Sequence, residues 1–263
     1  MLWTTYGGFL KDQMNDSLPI PRLDRMPVRI NPCPIIEAII EIRFVSTESW
    51  RTMPGLLFSH IRERYTVSRD LPLATFPEDF RRQNPALMYL PLVQFVRTNF
   101  LIQFGPRVVS LVTSPNQYPG WQEMKTEMAW LLEQIKISGF VSEAERLGVR
   151  YINFFTEDIF AHLHLRTVIG DKALESHEVS ISTVFRQVPM TARLNVSNSV
   201  IVGGPDNPRS GSIFDVDVWI GALDFELFSN GLQRTDEAHD FEKRIFFGLL
   251  KPDFLAKLNP EYS

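Results

Sequence analysis

Asp215 and Asp217 stand two apart in the run Ile-Phe-Asp-Val-Asp-Val-Trp. Alternate residues of a strand share a face, so both carboxylates would point one way and Phe214, Val216, Val218 and Ile220 the other. Two carboxylates a few ångströms apart hold a divalent cation or work as an acid/base pair. On that chemistry the chain would be a metal-dependent hydrolase. The plainer reading is a strand face that is solvated or salt-bridged to Arg150 or Arg193. His162 and His164 are also two apart and would share a strand face as metal ligands do. No third ligand stands at motif spacing and no His-Glu-x-x-His helix occurs, so a partly exposed polar edge is the better account of them. His239 lies among Asp236, Glu237, Asp240 and Glu242. Neighbouring acids would favour its charged form, and a surface helix explains it equally.

Arg150 and Asn153 interrupt an otherwise apolar stretch, Leu147–Phe155 (Leu-Gly-Val-Arg-Tyr-Ile-Asn-Phe-Phe). A strand apolar on both faces is usually covered on both. A buried guanidinium then needs a carboxylate or carbonyl partner, so Arg150 is expected to pair with an acid and Asn153 to satisfy backbone. The ligand or partner candidates are thus Arg150, Asn153, Asp215, Asp217 and His239, with no catalytic residue and no metal ligand assigned.

Other chemistries find no support in the residues. There is no Gly-x-Ser-x-Gly elbow, and Gly203-Gly204-Pro205 does not match a phosphate loop. The single cysteine, Cys33, precludes an intrachain disulfide and a multi-thiolate zinc site. A net charge of −4 is not the basic excess that holds a nucleic-acid backbone. Arg62, Arg64, Arg69, Arg81 and Arg82, with Phe76 and Phe80 between them, would be the one basic-aromatic patch, diluted by Glu63, Asp70, Glu78 and Asp79. The N-terminus lacks a basic and apolar leader pattern, and no apolar run approaches a membrane span. The expectation is a soluble cytoplasmic protein without cofactors.

The elements that would position these residues come in two similar series. Residues 1–34 carry five prolines and read as an extended or poorly ordered arm. Ile36–Phe44 alternates as a strand with Glu37, Glu41 and Arg43 on its wet face. A helix through Leu57, Ile61 and Tyr65 follows, then an irregular stretch over 68–86. The strands Leu87–Val96, Phe100–Phe104 and Val108–Val112 lead to a helix, Trp121–Ile137, ended by Gly139. The second series opens with Leu147–Phe155 and a short helix over Ile159–Val168. Strands Val179–Val188, Thr191–Val202 and Ile213–Leu223 come next, with a polar loop over Gly203–Gly211. A helix over Asp236–Leu250 closes the series. Each half therefore reads β-α-β-β-β-α. The expected fold is α+β, an antiparallel sheet with helices mainly on one face and a pseudo-duplication. The organisation is an extension (1–30), a first half (31–140) and a second half (141–263) packed as one body.

Four pieces in this order resemble a sporadically distributed family of uncharacterised prokaryotic cytosolic proteins. They are Pro34–Ile39 with Ile42-Arg43-Phe44, Gly148–Asn153, Phe214–Val218, and His239 with Phe246. The resemblance implies no catalytic activity and no residue roles. The function expected is non-catalytic binding of a protein partner, a peptide or a small ligand, chaperone-like or of the antitoxin and defence kind. The metal-dependent hydrolase is second and a nucleic-acid module third. A protein partner or self-association is expected, and neither nucleic acid nor membrane.

Overall fold

The computed structural model describes residues 18–174, 178–204 and 206–262. The strands are β1 (Ile35–Val45), β2 (Val67–Asp70), β3 (Val93–Val96), β4 (Phe100–Gly105), β5 (Val108–Thr113), β6 (Glu143–Phe155), β7 (Val168–Ile169), β8 (Lys172–Ala173), β9 (Ser180–Gln187), β10 (Met190–Val202) and β11 (Arg209–Gly221). The helices are α1 (Met53–Ile61), α2 (Glu78–Gln83), α3 (Trp121–Ser138), α4 (Gly231–Leu249) and α5 (Pro252–Lys257). The fold is α+β, dominated by one large antiparallel sheet. Nine strands form it in the order β2-β3-β4-β5-β1-β6-β11-β10-β9, and β7 and β8 make a separate small hairpin.

The two strands richest in alternating apolar residues, β1 and β6, lie side by side at the centre, with Ile39 opposite Arg150 and Ile42 opposite Leu147. β11 flanks β6 and β5 flanks β1. The packed face carries Ala38, Ile40, Ile42, Phe44, Val149, Tyr151, Phe214, Val216 and Val218, all buried. α4 lies over β6 and β11, and the Phe246 ring stands edge-on to Phe214 at 5.2 Å. Phe44, Phe104 and Phe140 close the core under the first series at 5.1–6.2 Å. Gly139 ends α3 in the left-handed conformation, φ 68°. The segment from Leu18 onward is tied to the C-terminal end. Val28 donates to the Glu261 carbonyl, Asn31 to that of Leu258, and Leu18, Ile20 and Leu23 pack on the core.

Several elements differ from the sequence expectation. The helix expected over 159–168 is a single 3-10 turn, Ile159–His162. Its Ala161/Leu163/Leu165 alternation is too short to bury a helical stripe, and Asp158 caps only the Phe160 amide. The strand expected from Leu87 begins at Val93, because Pro91 has no amide to enter a ladder. The stretch over 68–86 is less irregular than expected and contains β2, a 3-10 turn (Pro72–Thr75) and α2. The loop expected over Gly203–Gly211 is shorter, since β11 already starts at Arg209. The two series are therefore not identical in element order, as β2 and α2 have no counterparts among the described residues of the second.

Candidate functional site

On the face of the sheet opposite α4, β6 and β11 set their polar residues in register. Asp217 stands across from Arg150, and Asp215 from Ile152 and Asn195. Arg150 reaches diagonally to Asp215 with two hydrogen bonds, Nε to Oδ1 and Nη2 to Oδ2, both 2.8 Å. Asn195 donates to the same Oδ2 at 2.9 Å. Asp217 is held by Arg146, whose Nη2 donates to both carboxylate oxygens at 2.6–2.7 Å. Arg146 also donates through Nη1 to Glu41, which accepts from Arg43 as well. This guanidinium lies across Gly148, where a Cβ would come within 3.3 Å of it. Trp219 sits beside Gly148 in the register and takes the Arg146 and Arg193 guanidinium groups at 5.0 and 5.8 Å from its ring.

This lattice pairs each acid with a base. The hydrogen bonds to Asp215 hold the Arg150 guanidinium above its ordinary pKa. Burial pushes the Asp217 carboxyl up, against the pull of Arg146 and Arg150. Both Asp215 oxygens and both Asp217 oxygens are thus committed to guanidinium donors. A hard divalent ion wants about six oxygens, and no group of three or more His, Cys, Asp or Glu suited to a metal occurs among the described residues.

A second polar layer lies beneath α4 on the packed face. The Tyr118 and Tyr151 hydroxyls are 3.1 Å apart, and Tyr151 is 3.1 Å from His239 Nδ1. The His239 ring stacks on Trp121 at 3.9 Å, and the Trp121 indole donates to Asp236 at 2.9 Å. Lys125 completes the chain with an ion pair to Asp236. Burial, with Lys243 nearby, drives the His239 pKa down to about 3. The expectation that neighbouring acids favour a charged imidazole is overturned. Asp236 turns to Trp121 and Glu237 to Arg234, so desolvation decides. One turn on, Glu242 is 4% exposed with no hydrogen-bonding partner among the described residues. Burial raises its carboxyl to about 8. Asn153, also on this face, donates to the Phe214 carbonyl at 3.1 Å.

The sequence-selected residues therefore do not converge on one site. Arg150, Asp215 and Asp217 belong to the outer lattice, Asn153 and His239 to the layer beneath α4. His162 and His164 do not share a strand face. His162 is in the 3-10 turn, 2.7 Å from Glu157 and stacked on Phe254 at 4.2 Å, while the His164 backbone bonds to Leu249. Of the basic-aromatic patch, Phe76 and Phe80 stack on each other at 5.7 Å and are about half exposed. Arg64 instead turns inward to Glu127.

What the sequence reading missed is a cleft of about 420 Å³ beside the β4–β5 hairpin. Trp50, Met53, Leu87, Met88 and Leu92 supply an apolar wall, and Glu48, Glu78, Arg81 and Arg107 a polar rim. Trp50 is set by its contact with Phe104 at 5.4 Å. Arg107 is set by its ion pair with Glu145 and by the Phe44 carbonyl. The volume lies within the roughly 300–1,000 Å³ range of small-molecule sites. The cleft draws on three separate stretches, 45–53, 78–92 and 106–107, so no local motif announces it. Of its residues, Arg81 and Glu78 were singled out in the sequence only as parts of the basic-aromatic patch.

No family model and no curated protein matches the chain. No helix among the described residues is long and apolar enough to cross a membrane.

Proposed function

We propose that the chain is a non-catalytic binding module of a prokaryotic cytosol. Its ligand is an amphipathic group, either a small molecule or a segment of a protein partner, taken at the cleft lined by Trp50, Met53, Leu87, Arg81 and Glu48. The cleft carries this reading. It is ligand-sized, apolar at its wall and charged at its rim, whereas the carboxylates a hydrolase would use are held by Arg146 and Arg150.

The architecture supports a two-part scaffold. We read the sheet as two related halves, β3-β4-β5-β1 and β9-β10-β11-β6, meeting edge to edge at β1–β6, with helices mainly on one face. In each, the first strand pairs with the last. The four pieces that resemble the sporadic prokaryotic family fall on β1, β6, β11 and α4, which are neighbours in space. Family membership belongs to the same proposal.

A ligand-observed NMR screen of small aromatic carboxylates, amines and short peptides tests the binding reading. Hits are expected to weaken at least about tenfold in Arg81→Ala and to vanish in Leu87→Trp, which fills the cleft; a single lost charge-assisted contact is worth about that factor. Hits indifferent to both substitutions, or turnover of phosphate or peptide esters by the purified protein, would refute it.

A further inference from the structure

The two edges of the sheet are built differently. β2, at one end, has four residues, Val-Ser-Arg-Asp, two of them charged. Short, charged edges resist strand addition. β9, at the other end, has eight residues, Ser-Ile-Ser-Thr-Val-Phe-Arg-Gln, with one charge and no proline. Among the described residues its one ladder is to β10, from Met190–Gln187 to Ser197–Ser180. No other hydrogen bond among the described residues reaches its backbone. The alternation along β9 is regular. Ile181, Thr183, Phe185 and Gln187 are half-buried, while Ser180, Ser182, Val184 and Arg186 are exposed. The half-buried set continues the packed face outward, since Ile181 lies beside Val196, Thr183 beside Leu194 and Phe185 beside Ala192.

We propose that β9 is a self-association edge, joining two copies of this chain antiparallel about a two-fold axis at Thr183. Three features select a second copy as the occupant. A two-fold contact must be self-complementary, and a register centred on Thr183 is. Ile181 of each copy then faces Phe185 of the other, extending the apolar face, and Ser182 faces Val184. The lone charge, Arg186, faces Ser180 and meets no like charge. A shift by one residue would set the apolar face against serines and Arg186, so the alternation also fixes the parity of the register. An acidic peptide would find one cation along the strand, and a basic one would find no acid. The joined sheets share one ladder at the junction, and the β9 edge, unpaired among the described residues, is removed.

Sedimentation velocity and light scattering of the full chain at up to about 100 µM, where even micromolar contacts are populated, provide the test. The wild type is expected to be a dimer. Ser182→Lys with Val184→Lys places lysines directly opposite one another across the junction, at positions exposed in the single chain. The dissociation constant should rise at least about 100-fold at low salt and recover in part at about 0.5 M salt, as screened like charges do. A circular dichroism melt checks that the variant is folded. A second arm does not depend on that variant. In a Cys33→Ser background, Thr183→Cys is expected to cross-link on mild oxidation, because the two-fold axis sets Thr183 opposite itself. Ser180→Cys is not, because its copies lie far apart along the strands. A monomeric wild type, a dimer that the lysines leave intact, or equal cross-linking at 180 and 183 would each overturn the proposal.

Discussion

Replacing Glu242 by Gln tests the polar layer beneath α4 through its pH dependence. The folded carboxyl has its pKa raised from 4.5 to about 8 by burial, which outweighs the lowering effect of Lys243 and adds to the raising effect of Asp215. The Tyr118 and Tyr151 hydroxyls near it are raised as well and stay protonated. A group whose pKa is higher when folded contributes stability that is complete below its unfolded value and lost as pH climbs to the folded one. At about 1.36 kcal/mol per unit, the wild type should lose about 4 kcal/mol from this group between pH 4.5 and pH 8. His239 acts in the opposite sense. Its folded pKa of about 3 against 6.5 makes its contribution complete above pH 6.5 and lost as pH falls towards 3. Between pH 4.5 and 6.5 the two slopes cancel, so these groups give the wild type a plateau there and a decline above it. Gln is close to a permanently protonated Glu in shape. Denaturant unfolding of wild type and Glu242→Gln at half-unit steps from pH 4.5 to 8.5 should show a stability difference that grows steadily with pH. The variant should gain over the wild type up to about pH 8 and then level off. A difference that stays constant over this range would refute the assignment of a buried, protonated carboxyl.

Two further predictions concern the scaffold. Arg150→Ala leaves Asp215, 4% exposed, with Asn195 as its remaining side-chain partner. Arg150 itself has a side chain 41% exposed, so the cost should be about 2 kcal/mol, below the 3–5 of a fully buried pair. Arg150→Met with Asp215→Asn should recover most of it in urea unfolding, and a double variant no better than the single would argue against a structural pair. In Gly248→Ala, the new Cβ would meet the Pro21 carbonyl at 2.6 Å and Ile20 at 2.7 Å. The segment around Ile20 should detach and become the first site of limited proteolysis. Unchanged digestion would mean that its docking on α4 is not close.

The amino-acid order by itself determined the strands and helices with strong periodicity. β1, β6 and α3 follow from apolar residues at spacings of two or of three and four, which any single chain displays. Arg150 does pair with an acid, but not for the reason its apolar neighbours in the chain suggested, since its side chain is 41% exposed on the polar face of the sheet. Which acid it meets did not follow, because Asp215 and Asp217 are equivalent in sequence and only the β6–β11 register, with Arg146 folded across Gly148, separates them. The state of His239 was likewise a tertiary outcome. Its acidic neighbours along the helix suggested a cation, but the Trp121 ring and the sheet beneath α4 remove the water a cation needs. The cleft depended entirely on tertiary structure, for its walls come from three stretches that nothing local relates. Periodicity reports the face a residue occupies. Register and long-range packing decide what it meets there, and in this protein those partners determine whether a polar residue is spent on the fold or left open to a ligand.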